Sequence, residues 1–117
     1  MNFIPSGDES TIAVEFNGKA TKEDAEKLDR YAEQHFDRDE KFNIFAVMHE
    51  VDGSSLKGMV SGIKTDAKHW KQYNKIAVVS DKNWIQLAGD LGNYLPGLEV
   101  KNFEKQQTDE AWEWIQQ

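Results

Sequence analysis

The sequence predicts an α/β fold. It reads as a single-layer mixed sheet of five strands, mostly parallel, with four helices in the order β-β-α-β-α-β-α-β-α. Three observations carry this. Strand-like apolar segments recur at Thr11–Phe16, Phe42–Val51, Lys75–Ser80 and Leu98–Phe103. Segments with apolar residues at helical spacing separate and follow them. The run Ile44-Phe-Ala-Val-Met48 is apolar without alternation, as in a strand covered on both faces of a parallel sheet. Strand and helix in alternation argue for right-handed crossovers between parallel neighbours.

Each element has its own local reason. Phe3-Ile4-Pro5 suits a short edge strand, because Pro5 lacks a ladder donor. Ser6 to Ser10 reads as a turn. In Thr11–Phe16, Ile12, Val14 and Phe16 fall on one side and Thr11, Ala13 and Glu15 on the other, which predicts a half-buried strand. Asn17-Gly18 turns the chain. Thr21 is placed to cap the first helix, with Asp24 three residues on in a near capping box. Ala25, Leu28, Ala32 and Phe36 then follow at helical spacing. Charged Asp37–Lys41 closes that helix, and the central strand Phe42–Val51 begins.

A Gly-Ser-Ser turn leads into the cleanest helical stripe in the chain: Leu56, Met59, Val60, Ile63, Ala67 and Trp70. Gly58 and Gly62 lie inside it, each costing about 1 kcal/mol against alanine in a helix interior. Lys75–Ser80 is a short β-branched strand. Ser80 or Asp81 caps a further helix carrying Trp84, Leu87, Ala88, Leu91, Tyr94 and Leu95, again with internal glycines, Gly89 and Gly92. Pro96-Gly97 ends it. Leu98–Phe103 alternates as the last strand. Thr108-Asp-Glu-Ala opens a terminal helix with acids where the dipole favours them.

Composition bounds the function. At 117 residues one domain spanning 1–117 is expected, large enough for a single core. Without cysteine there are no disulfides and no thiolate metal sites. No apolar stretch reaches the ~20 residues that span a bilayer, and no signal peptide is legible. A soluble cytoplasmic protein is expected, peripheral to the membrane at most. The net charge of −7 disfavours nucleic acid as a partner. Charge is uneven, however: Ser54–Lys75 holds Lys57, Lys64, Lys68, Lys71 and Lys75 against one acid, Asp66.

The chain resembles the small bacterial SpoIIAA-like proteins, whose fold is shared with STAS domains and CRAL-TRIO lipid-binding domains. The residues that carry the resemblance are Phe16-Asn-Gly-Lys-Ala-Thr-Lys-Glu-Asp24, Val51-Asp-Gly53, Lys75-Ile-Ala-Val-Val-Ser-Asp-Lys-Asn-Trp84 and Glu110-Ala-Trp-Glu-Trp-Ile115. They cover nearly the whole chain, and their order and spacing are more specific than any one of them. The resemblance implies the fold first. It also implies two activities. STAS domains that antagonise anti-sigma factors carry a phosphorylatable serine at the start of the helix after the central strand, where this chain has Ser54 and Ser55. The order here is Asp52-Gly53-Ser54-Ser55, not the Asp-Ser-Ser-Gly-like order of those domains. CRAL-TRIO-like relatives hold apolar ligands under mobile helices, and the corresponding helices here carry the internal glycines.

The residues themselves offer competing sites. A phosphate on Ser54 or Ser55 would meet helix N-terminal amides, although serine is also a good N-cap. Met59, Val60, Ile63, Trp70, Trp84, Leu87, Leu91 and Leu95 can line an apolar cleft between the two glycine-containing helices, 54–73 and 81–95. Core packing is the ordinary alternative for such a stripe. Lys57, Lys64, Lys68 and Lys71 would then face an anionic membrane surface. His49 and Glu50 point to opposite faces of a strand and make poor acid–base partners. His35, His49 and His69 lack metal-ligand spacing and read as surface or satisfied residues. No hydrolase, P-loop or zincin motif is present. The expected activity is therefore non-enzymatic: reversible binding of an apolar small molecule, lipid or membrane surface, without cofactor or metal. The alternative is a STAS-like regulatory module that binds a protein partner, and an enzyme comes third.

Overall fold

The computed structural model describes residues 1–51, 54–55, 58, 70–81 and 97–117. Five strands form one sheet: β1 (Asn2–Phe3), β2 (Thr11–Asn17), β3 (Phe42–His49), β4 (Tyr73–Ser80) and β5 (Glu99–Phe103). They lie side by side in sequence order. β1 is antiparallel to β2, and every later pairing is parallel. Helix α1 (Lys22–His35) connects β2 to β3, and a terminal helix (Thr108–Ile115) follows β5. The mixed, mostly parallel sheet agrees with the sequence. Of the four expected helices the first and last are described. Of the middle two, 54–73 and 81–95, the described residues are Ser54, Ser55 and Gly58, which are helical, residues 70–73, and Asp81. The first of the two was expected to reach residue 73, but Trp70–Gln72 is a 3-10 turn and Tyr73 already belongs to β4. Tyr73 is buried opposite Phe42, and this pairing ends any helix before it.

Helix α1 forms where the sequence marks it. Thr21 Oγ1 accepts from the Asp24 N–H at 3.2 Å, and Asp24 Oδ2 accepts from the Thr21 N–H at 2.9 Å. Two N–H groups that an isolated helix start leaves without partners are thereby satisfied. Ala25, Leu28 and Ala32 pack onto Ile12, Val14, Phe16, Ile44, Ala46 and Met48, one face of the sheet.

The other face is covered too. Ala111 and Ile115 of the terminal helix pack with Ala13, Phe45, Ala77, Val79 and Phe103. Phe45 and Trp112 stack with ring centroids 3.9 Å apart and planes 10° apart. This corrects the expectation of a half-buried β2. Thr11 and Ala13 are buried on the second face, where Glu15 stays partly open and Asn17, at the strand end, is exposed. The terminal helix lies over the sheet and seals it, so the alternation of β2 reports two cores rather than a wet face and a dry one.

Polar groups fix the ends of this arrangement. Buried Asn43 donates through Nδ2 to the Ile115 carbonyl at 3.2 Å and accepts at Oδ1 from Asn74 Nδ2 at 3.3 Å. Lys75 Nζ donates to the main-chain oxygens of Trp114 and Gln117, at 3.2 and 2.8 Å. A lysine there suits the negative end of the terminal helix dipole. The sequence counts Lys75 in the positive charge of the stretch Ser54–Lys75 and sets it at the start of a strand. Its ammonium anchors the terminal helix.

Candidate functional site

Because β2 to β5 run parallel, their carboxyl ends meet on one edge of the sheet, the place where open α/β sheets usually receive ligands. Two polar features lie there, one on each face.

On the α1 side, the chain leaves β3 through His49 and Glu50. Glu50 takes a left-handed conformation, φ 53°, which is uncommon for a residue with a Cβ. The bend returns Val51 to the core beside α1, where it is 1 % exposed. Ser54 and Ser55 come next, and the structure separates their roles. Ser55 is half-buried, and its Oγ accepts from the Ala20 N–H at 3.1 Å. Ala20 is buried in the loop between β2 and α1, so this bond ties the turn after β3 to the turn after β2. Ser54 is exposed. The Gly18 N–H donates to the His49 carbonyl at 3.0 Å and continues the ladder past the strand ends.

On the opposite face, four charged or polar side chains run across the edge. His49 Nε2–H donates to Glu15 Oε2 at 3.3 Å. Lys105 Nζ donates to His49 Nδ1 at 3.0 Å and reaches Asp81 Oδ2 at 3.2 Å. A lysine ammonium can only donate, so His49 Nδ1 is the acceptor and the proton sits on Nε2. Both ring nitrogens are therefore engaged, and the imidazole links β2, β3 and the turn before the terminal helix. The sequence reading of His49 as a satisfied histidine matches this arrangement, but Glu15, Lys105 and Asp81 were not anticipated. The signal was available: once β2 and β3 pair in parallel, alternation places Glu15 and His49 on one face, two register positions apart.

Of the other histidines, His35 is exposed on α1. Its Nδ1–H donates to the Tyr31 carbonyl at 2.9 Å, and its ring stacks on Tyr31 at 3.9 Å. Among the described residues no group of three or more His, Asp or Glu side chains could hold a metal ion. None of the described helices is long and apolar enough to cross a membrane.

The expected apolar cleft rests almost wholly on residues that are not described. Met59, Val60, Ile63, Trp84, Leu87, Leu91 and Leu95 lie outside the described residues, as do Lys57, Lys64, Lys68, His69 and Asp52. Trp70 is placed in the 3-10 turn, and Lys71 beside it is exposed. The lipid and membrane reading thus has no support among the described residues. What the structure does bring together is the serine turn, the β2–α1 loop and the polar edge behind them.

A family model described as SpoIIAA-like matches residues 11–116. Comparison with curated proteins and with solved structures gives no match.

Proposed function

Because this chain belongs to the SpoIIAA-like family, we propose that it is a STAS-like regulatory module: it binds a protein partner at the serine turn and is switched by phosphorylation of Ser54. The observation that carries the reading is the division of labour between the two serines. Ser55 is turned inward onto the Ala20 N–H, and Ser54 is exposed beside it. Its exposure puts Ser54 within reach of a kinase. A phosphate there adds about −1.5 to −2 charges at neutral pH. It would lie at the start of a helical turn, where backbone N–H groups and the dipole favour an anion. A partner docked over the turn then meets a charge it must desolvate, and the complex dissociates.

The turn is also well placed to transmit the change. Ser55 joins it to the β2–α1 loop, and Val51 joins it to the core. Affinity capture with the full chain tests this reading. The wild type and Ser54→Ala should recover the same protein partner, and Ser54→Asp should lose it. A chain that captures no specific partner, or one captured equally by all three, contradicts the proposal.

A further inference from the structure

We propose that the outer edge of β5 pairs with the same edge of a second copy of this chain, in an antiparallel dimer whose two-fold axis passes at Val100.

The sheet ends in two edges, and they differ. On one side β1 has only two residues and runs into Ile4-Pro5, where proline has no N–H to offer an incoming strand. That edge is blunted. On the other side β5 has five residues and pairs with β4 along its inner edge. Among the described residues no strand pairs with its outer edge. The edge strand of a sheet is a template for another strand.

The sequence of β5 selects what pairs with it. Glu99 and Lys101 flank Val100, are both exposed and, two residues apart, lie on one face. In an antiparallel pair centred on Val100, the two valines face each other. Each Glu99 then lies opposite the Lys101 of the second copy, twice per dimer. Opposite charges facing across strands stabilise the pairing, and like charges oppose it. A parallel, in-register pair would set Glu99 on Glu99 and Lys101 on Lys101. A lone lysine on an edge repels its own copy, but an acid two residues away makes the edge self-complementary. The Lys101 ammonium sits 5.3 Å over the Phe103 ring, along its own strand rather than across the edge.

Sedimentation velocity of the full chain, from low to high micromolar concentration at two salt levels, tests the inference. A dimer that weakens as salt rises is expected, because the paired charges are exposed and screened. Glu99→Lys sets like charges together at both contacts and should weaken dimerisation by at least about tenfold. Glu99 stands opposite Lys75 in β4, so Lys101→Glu is the second single variant and should weaken it likewise. The double exchange E99K/K101E restores opposite pairs and should restore the dimer. A chain that is monomeric throughout at low salt overturns the proposal. So does a dimer that neither single exchange weakens, or a weakened dimer that the double exchange fails to recover.

Discussion

Ser55 Oγ lies 3.1 Å from the Ala20 N–H, a hydrogen bond between residues 35 apart in the chain. It fixes the turn after the central strand against the loop that starts α1. Removing it should be measurable. Ser55→Ala leaves the Ala20 N–H without that acceptor in a buried position, which costs about 1–3 kcal/mol. Ser54→Ala is expected to cost less, because Ser54 is exposed. Urea denaturation of both variants checks the difference, and equal losses would contradict the separate roles given to the two serines.

The reciprocal bonds between Thr21 and Asp24 predict a second result. Thr21→Ala should lower stability by about 1 kcal/mol through loss of the N-cap. Asp24→Ala removes the other bond of the box, the one its carboxylate accepts from the Thr21 N–H, and because both bonds hold the same first turn the two effects should not add. A double-mutant cycle followed by circular dichroism measures this coupling.

Trp112 covers Phe45 and helps hold the terminal helix on the sheet. Trp112→Ala removes both the stack and the apolar burial. The expected loss is about 3 kcal/mol, read as a fall in the urea midpoint. Trp112→Phe keeps a ring against Phe45 and should retain most of the stability.

Tyr73 makes an alkaline prediction. Its phenol is buried, with no hydrogen-bond partner for its oxygen among the described residues. Burial, reinforced by the negative charge of Asp29, raises its ionisation well above the ordinary tyrosine value of 10.0. The sign follows from proton counting. Above about pH 10 the unfolded phenol loses its proton while the folded one keeps it, so the unfolded chain binds fewer protons. The contribution of Tyr73 is fully present below that pH and is lost as pH rises toward its folded ionisation. Tyr73→Phe should be neutral or mildly stabilising near pH 7 and should lose less stability than the wild type above pH 10. Denaturation curves at both pH values compare the two.

Local pattern carried most of the fold. The Thr21 to Asp24 spacing located the start of α1, and the unbroken Ile44–Met48 run marked a strand with two covered faces. The second core was harder to see. Ala13 and Thr11 look like the wet side of a strand until the terminal helix closes over them, and that helix is nearly a hundred residues further along the chain. The same holds at the candidate site. The turn serines were visible because they stand a few residues past the end of the central strand. The path from Glu15 through His49 to Lys105 spans three separate segments, and only the strand register brings them together. Likewise, whether Lys75 faced solvent or the end of a helix depended on the side of β4 it occupied.

The central claim is that Ser54 is the switch. Phosphopeptide mapping of the protein isolated from its native host, across growth conditions, tests it most directly. The account predicts phosphate on Ser54 in at least one condition, with Ser55 unmodified. Ser54 unmodified in every condition, or phosphate confined to Ser55, would contradict it.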